Sequence, residues 1–316
     1  MTNKKFDVLV VGELNVDLIL NQLERFPEVG KEIIAQKMLL TLGSSSAIFA
    51  SNLSVLGTRV AFCGRVGKDS FGNKILQDLA AKGVDTSHII LSDTSDTGIT
   101  VALNVEEDRA MVTYPGAMNE LSADDITDEM LNEAAHLHVS SVFLQPRLKP
   151  TLVALFKRAR RLGLTTSLDP QWDPAEKWDI DLAAYLPLVN IFMPNIGELM
   201  NLAGKHSLEE CLAALGKISG MIVVKQGNDG ASLWHDQVLL TQPPFLNKQV
   251  VDAVGAGDSF NAGFIHQFLH GGSEKACLEF GALCGAVNTT AAGGTTAFSD
   301  HETFRRTALE HFNYRL

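Results

Sequence analysis

The stretch FDVLVVG, Phe6 to Gly12, decides the fold. After Asp7 it is apolar without interruption from Val8 to Val11, rich in valine and closed by a glycine. A strand with one wet face alternates apolar and polar residues; one that does not alternate is covered on both faces, as in a parallel sheet. Val139 to Leu144, Leu164 to Leu168, Ile191 to Met193 and Met221 to Val224 read the same way. Helical patterns fall between several of them, among them Thr151 to Leu162, with a basic outer face, and Leu208 to Ile218. This alternation predicts an α/β fold built on a doubly wound, mainly parallel sheet.

One region departs from it. Ile99 to Val105 (ITVALNV) is apolar at every second position, the charged run Glu106-Glu107-Asp108-Arg109 follows, and a second β-like run covers Ala110 to Tyr114. That pattern predicts an antiparallel hairpin with a solvated tip, and Glu32 to Leu42 offers another exposed strand. Hairpins that protrude from a parallel sheet tend to cover its active edge, so residues 14–42 and 97–118 are read as a small β lid. No linker or low-complexity stretch interrupts the chain, and residues 1–316 are expected to form a single domain.

The composition, 46% hydrophobic and 20% charged, allows a sizeable core. A net charge of -11 argues against nucleic acid or anionic membrane as partner, because either requires a basic surface. A small molecule is the expected partner. Cys63, Cys211, Cys277 and Cys284 are widely spaced without a CxxC pair, which fits a reduced, cytoplasmic chain. The start, Thr2-Asn3-Lys4-Lys5, is polar, and the run Val8 to Val11 is far shorter than a signal-peptide core or membrane span.

The chemistry concentrates in VDAVGAGDSF, Val251 to Phe260. Phe260, Phe264 and Phe268 then recur at helical spacing until Gly271-Gly272 ends the helix. Three small residues before a helix, Gly255, Ala256 and Gly257, let backbone amides converge, and the helix start adds free donors and a positive dipole end. The result is an anion cradle. Asp258 in the first turn has two readings: a residue that merely favours the dipole, or a general base beside a transferring phosphoryl group. Competing motifs fail. Gly67-Lys68 lacks the rest of GxxxxGK[ST], Phe260 occupies the last glycine of GxGxxG, His301-Glu302 is not continued to HExxH, and GxSxG is absent.

Taken in order, these stretches resemble the ribokinase-like (PfkB) carbohydrate kinases from about Phe6 to Phe312. VDAVGAGDSF is similar to the family's second signature. Gly12-Glu13-Leu14-Asn15-Val16-Asp17 resembles its first strand end, and Gly64 to Gly72 (GRVGKDSFG) its GxVGxDxFG segment. Asn195-Ile196-Gly197-Glu198 resembles NxxE, and Lys225-Gln226-Gly227-Asn228-Asp229-Gly230 the loop beside the nucleotide.

The resemblance implies a kinase that uses ATP and Mg2+, with Asp258 as base and Gly255, Ala256 and Gly257 as the anion hole. It places the sugar at Asn15, Asp17, Gly43 and Ser44, and the nucleotide at Asn195, Glu198, Lys225, Gly227 and Gly230. Glu198 would reach magnesium through water. The residues alone allow blander roles: Asn195 and Glu198 as an N-cap and its capping-box partner, and Lys225 as a solvated strand-end lysine. Asp252 is either structural or part of a K+ site of the kind found in some relatives, completed by backbone oxygens of Thr290 to Ser299. The resemblance also implies a homodimer paired through the lid.

Several positions depart from the family. Gly43-Ser44-Ser45-Ser46-Ala47-Ile48 replaces GGxxxN, Met118 stands where asparagine is common, Asp169-Pro170-Gln171 replaces Asp-Pro-Asn, and Ala282 stands where some relatives carry an asparagine near adenine. The expected reaction is phosphorylation of a primary hydroxyl on a sugar or sugar-like molecule. A nucleoside kinase and a non-catalytic metabolite sensor are the alternatives.

Overall fold

A computed structural model describes residues 4–105 and 108–316. The polar start Thr2-Asn3 and the acidic tip Glu106-Glu107 lie outside the described residues. In chain order the strands are β1 (Phe6–Val11), β2 (Asn15–Asn21), β3 (Lys37–Leu42), β4 (Val60–Cys63), β5 (Arg65–Gly67), β6 (Ile90–Ser92) and β7 (Gly98–Val105). There follow β8 (Asp108–Tyr114), β9 (Ala134–Ser140), β10 (Thr165–Asp169), β11 (Ile191–Phe192), β12 (Met221–Lys225), β13 (Ala231–His235) and β14 (Val238–Gln242).

The main sheet has eight strands in the order β14-β13-β12-β11-β10-β9-β1-β4. It is parallel from β4 to β12 and antiparallel over β13 and β14. Successive residues of β1 feed opposite faces. Leu9 and Val11 join one apolar core with Leu137, Phe156 and Leu168, whereas Val8 and Val10 join another with Phe49, Phe62 and Phe264. Helices on the two sides supply Phe156, Phe49 and Phe264, and neighbouring strands supply the rest, which is why the run in β1 has no polar alternation.

Two expectations shift. The strand placed at Val139 to Leu144 lies at Ala134–Ser140, and residues Val142–Leu144 form a single 3-10 turn instead. His136 and His138 disguised it. Both are fully buried, and hydroxyls engage three of their four ring nitrogens: His136 Nδ1 lies 2.8 Å from Thr165 Oγ1, and Ser167 Oγ lies 2.7 Å from both His136 Nε2 and His138 Nδ1. The helix predicted over Leu208 to Ile218 ends at Leu215, before Gly216.

A second sheet, β3-β2-β7-β8, stands apart from the first. The expected hairpin is present as antiparallel β7 and β8, and β2 pairs with β7 in parallel and with β3 antiparallel. Only Lys37–Leu42 of the stretch Glu32 to Leu42 is strand. Asp69 fastens this sheet to the body: its Oδ1 accepts from Gly72 N at 2.8 Å and its Oδ2 from Thr97 N at 2.7 Å, just before β7. A side chain at Gly72 would meet the Gly67 carbonyl at 2.3 Å, so the GxVGxDxFG segment is an architectural joint.

Candidate active site

The carboxyl ends of the parallel strands bring together residues far apart in sequence. Glu13 follows β1, Asp169 ends β10, Asn195 follows β11 and Lys225 ends β12. Helix Ala256–Leu269 starts beside them, at the edge where open α/β sheets bind ligands.

Asp258 is buried in the first turn of that helix, and its Oδ1 accepts a hydrogen bond from Gln171 Nε2 at 3.0 Å. Burial, reinforced by the charge of Asp169, pushes its carboxyl up to about 8, and Lys225 opposes the rise. Asp169, fully buried, accepts from Lys225 Nζ at 2.7 Å, Gln171 Nε2 at 3.0 Å and Asn261 Nδ2. Burial works against the charge on Lys225, but Asp169 and Glu198 hold its ammonium above the ordinary lysine value. Two buried carboxyls and a fixed cation thus share one network.

The glycine turn has the predicted shape. Gly255 adopts φ 75°, and a Cβ there would lie 2.6 Å from Gly294 Cα. Of the three predicted donors, the Ala256 amide is already engaged with the Ala253 carbonyl at 3.2 Å. The amides of Gly257 and Asp258, in the first helical turn, have no intrahelical acceptor. A Cβ on Gly257 would sit 3.7 Å from Lys225 Nζ, so the cation stands directly beside this turn. Together they present amides and one ammonium, a set of donors that suits an anion.

A cleft enclosing about 810 Å³ of non-atom space, partly open to solvent, leads away from the turn. Gly227, Gly230, Leu246, Asn247 and Ala282 are among its walls. Its size and apolar lining with few polar groups suit a nucleotide. Gly230 is required for the shape: at φ 90°, a Cβ would lie 2.1 Å from the Gln242 carbonyl. Cys277 and Cys284 are buried on helix Glu274–Asn288, and Cys284 packs against Gly263. Burial pushes the Cys277 thiol up to about 11 and that of Cys284 well above its usual value, so both serve packing.

On the lid, Asn15 and Asp17 share one face of β2, as their parity predicts. Asn15 Nδ2 donates to Asp17 Oδ1 at 2.9 Å and to Thr100 Oγ1 at 3.0 Å, and Thr100 Oγ1 lies 3.0 Å from Thr113 Oγ1. Gly43 closes against this ladder: a Cβ there would lie 2.3 Å from Asp17 Oδ1. Ser44 is engaged locally. Its hydroxyl donates to the Glu13 carbonyl at 2.6 Å and caps helix Ser45–Val55, at a strained φ of 68°. Met118 is buried with its methyl group against Gly98 and the Asn15 Cβ region.

Asn195 and Glu198 form a full capping box, each side chain accepting from the other's amide at 2.8 Å. The blander reading is therefore realised, yet the carboxyl also belongs to the site: burial, then Asp169, pushes it up to about 7. Asp252 Oδ1 accepts from Val254 N and Oδ2 from Gly293 N, both at 3.0 Å, which ties the loop Thr290 to Ser299 to the anion turn.

Three participants escaped the sequence reading. Glu13, buried and raised by that burial, accepts from Ser46 Oγ, which in turn lies 2.6 Å from Ser140 Oγ. Asp169 and Gln171 were visible only as an altered tripeptide. Asp169 meets its partner Lys225 across 56 positions, a pairing without local signal.

A buried carboxyl, a fixed ammonium and a glycine turn with free amides thus meet beyond the strand ends of an open α/β sheet. The chain matches the description "pfkB family carbohydrate kinase" over residues 5–301. It belongs to that family and is a carbohydrate kinase.

Among curated relatives, it is 31% identical to the 2-dehydro-3-deoxygluconokinase of Bacillus subtilis, covering 80% of this chain and 82% of that one. It is 28% identical to the ATP-dependent ribose-1-phosphate kinase of Halopiger xanaduensis, covering 92% and 94%. Among solved structures it superposes on Arabidopsis thaliana ribokinase complexed with ribose and ATP, with TM-score 0.83, 24% identity and coverage of 96% and 98%. A putative ribokinase II from E. coli, in complex with ATP and Mg2+, gives TM-score 0.83 and 24% identity over 97% and 100%. These two likenesses establish the fold.

Proposed function

We propose that this kinase transfers the γ-phosphoryl group of ATP to a primary hydroxyl of a sugar or sugar-like molecule, with Asp258 as general base. The observation that carries the reading is the buried Asp258 carboxyl beside the unengaged amides of Gly257 and Asp258, with Lys225 Nζ next to the same turn. Asp258 takes the hydroxyl proton as the alkoxide oxygen bonds to phosphorus and the bond to ADP breaks. The amides and Lys225 stabilise charge on the moving group. Asn15 and Asp17 orient the acceptor, and the lid excludes water.

No three His, Cys, Asp or Glu side chains among the described residues are grouped to ligate a metal directly. The residues present fit magnesium held through water, with Glu198 as the carboxylate that would hold it. When bound, the ion shields phosphate charge. We assign Asp252 the bracing role its two hydrogen bonds describe; a turnover that requires K+ would reverse that assignment. No described helix is long and apolar enough to cross a membrane, and we place the enzyme in the cytoplasm, as a homodimer paired through the lid.

One observation favours a nucleoside acceptor as second reading: the indole of Trp172, 48% exposed, directly follows Gln171 and is braced edge-on by Trp178 at 4.8 Å. It offers a flat surface for a base.

The deciding experiment is ATP consumption over a panel of pentoses, hexoses, sugar acids and nucleosides. Asp258→Asn is expected to lower turnover on the acceptor so found by roughly 10² to 10⁴. Near-normal turnover in the folded variant sinks the general-base assignment, and no acceptor-dependent ATP consumption across the panel would favour a sensor.

A further inference from the structure

We infer that Gln171 is the positioning residue of the general base, holding one oxygen of Asp258 so that the other faces the acceptor. The inference rests on the general-base reading above. A primary amide nitrogen carries two hydrogens, and here both have acceptors. Gln171 Nε2 lies 3.0 Å from Asp258 Oδ1 and 3.0 Å from Asp169 Oδ2. The second bond anchors the first, because Asp169 is itself immobilised by Lys225 and Asn261. With Oδ1 so held, Oδ2 is the oxygen left to receive the hydroxyl proton.

The backbone supports this reading. Gln171 sits at φ 59°, in the left-handed region. Asparagine enters that region at lower cost than glutamine. Asparagine is also one methylene shorter, and that methylene supplies the reach to both carboxylates. A residue held in a costly conformation while its side chain bridges two buried acids marks a functional constraint.

The charged groups facing Asp258 come from four elements: Asp169 at the end of β10, Lys225 at the end of β12, Glu13 after β1 and Glu198 in the helix Ile196–Ala203. Three carboxylates disfavour its ionisation and one ammonium favours it. The Gln171 amide is a neutral donor to the ionised form, so its loss raises the pH at which the base becomes competent.

The test compares Gln171→Ala, Gln171→Asn and wild type in two measurements. The first is a carbon-13 NMR titration of aspartate carboxyls in the ligand-free protein, with Asp258 assigned through Asp258→Asn. The second is the pH profile of kcat/KM with the acceptor found above.

Gln171→Ala is expected to lower kcat about 10- to 100-fold through misplacement of the base. It should leave KM for ATP within about twofold and move both the Asp258 titration and the acid limb of kcat/KM up by about one pH unit. Gln171→Asn relieves the backbone but is too short to bridge both carboxylates, so it should fold at least as well as Gln171→Ala yet recover little of the rate and show the same upward shift of the Asp258 titration. An unmoved Asp258 titration and acid limb in Gln171→Ala overturn the inference, as does full turnover in Gln171→Asn. If Asp258→Asn is itself active, the base assignment has failed instead; the titration, read without substrate, separates the two failures.

Discussion

Asp258 works against the stability of the fold that houses it. Its carboxyl, near 3.8 when the chain is unfolded, is pushed up to about 8 by burial and by Asp169. The folded state therefore binds a proton more tightly than the unfolded state, and the associated stabilisation is fully present only below the unfolded value. It is lost as pH rises through the folded one. The advantage in Tm of Asp258→Asn over wild type should accordingly grow from about pH 5 to about pH 8 and level off above. Thermal unfolding across that range checks it, and a gap that stays constant with pH contradicts the burial argument. The acceptor's kcat/KM should climb over the same interval, since only the ionised carboxylate accepts a proton. What helps catalysis here costs stability.

The glycine turn and its helix separate two roles that look identical in the sequence. Gly255 has positive φ, and its Cβ position is 2.6 Å from Gly294 Cα, whereas a Cβ on Gly257 finds only the flexible Lys225 side chain, at 3.6 Å or more. Gly255→Ala should thus cost stability, about 1–3 kcal/mol from backbone strain, and lower Tm. Gly257→Ala should fold with a Tm close to wild type but lose turnover and ATP affinity, because its methyl group occupies the anion's place. Parallel Tm and steady-state measurements decide it; equal stability losses in both would refute the division.

Legibility followed the same line at this scale. Continuous apolar runs announce β1 and β12, and helix punctuation announces the glycine turn, because both are local consequences of burial and backbone geometry. Strand β9 is masked in the sequence because one of its two buried faces carries histidines, which hydroxyls on the neighbouring strand and the ring of Phe49 accommodate in the core. Asn195 and Glu198 were legible as a cap, yet their place beside Lys225 depends on how β11 and β12 are ordered. Gln171 could be seen to depart from a pattern, but the bridge it makes exists only after folding.

For the whole molecule, the lid bears on the proposed assembly. Its edge strands β3 and β8 carry Met38, Val112 and Tyr114, exposed by 69%, 73% and 51%. Apolar groups on unpaired strand edges invite a second copy. A homodimer is expected in solution, and Val112→Lys should shift it toward monomer. Sedimentation that shows only monomer across working concentrations would refute the pairing.

The lid is also coupled to the chemistry at its base. Asp69 spans the body helix and the root of β7 with one carboxylate, while Glu13, between β1 and β2, is gripped by Ser44 and Ser46. The second sheet is thus fastened to the body at two joints, one at Asp69 and one at Glu13. With the acceptor held at Asn15 and Asp17 as proposed, the strand that grips it leads straight back to the joint at Glu13, so a correct acceptor would help seal the chamber in which it reacts.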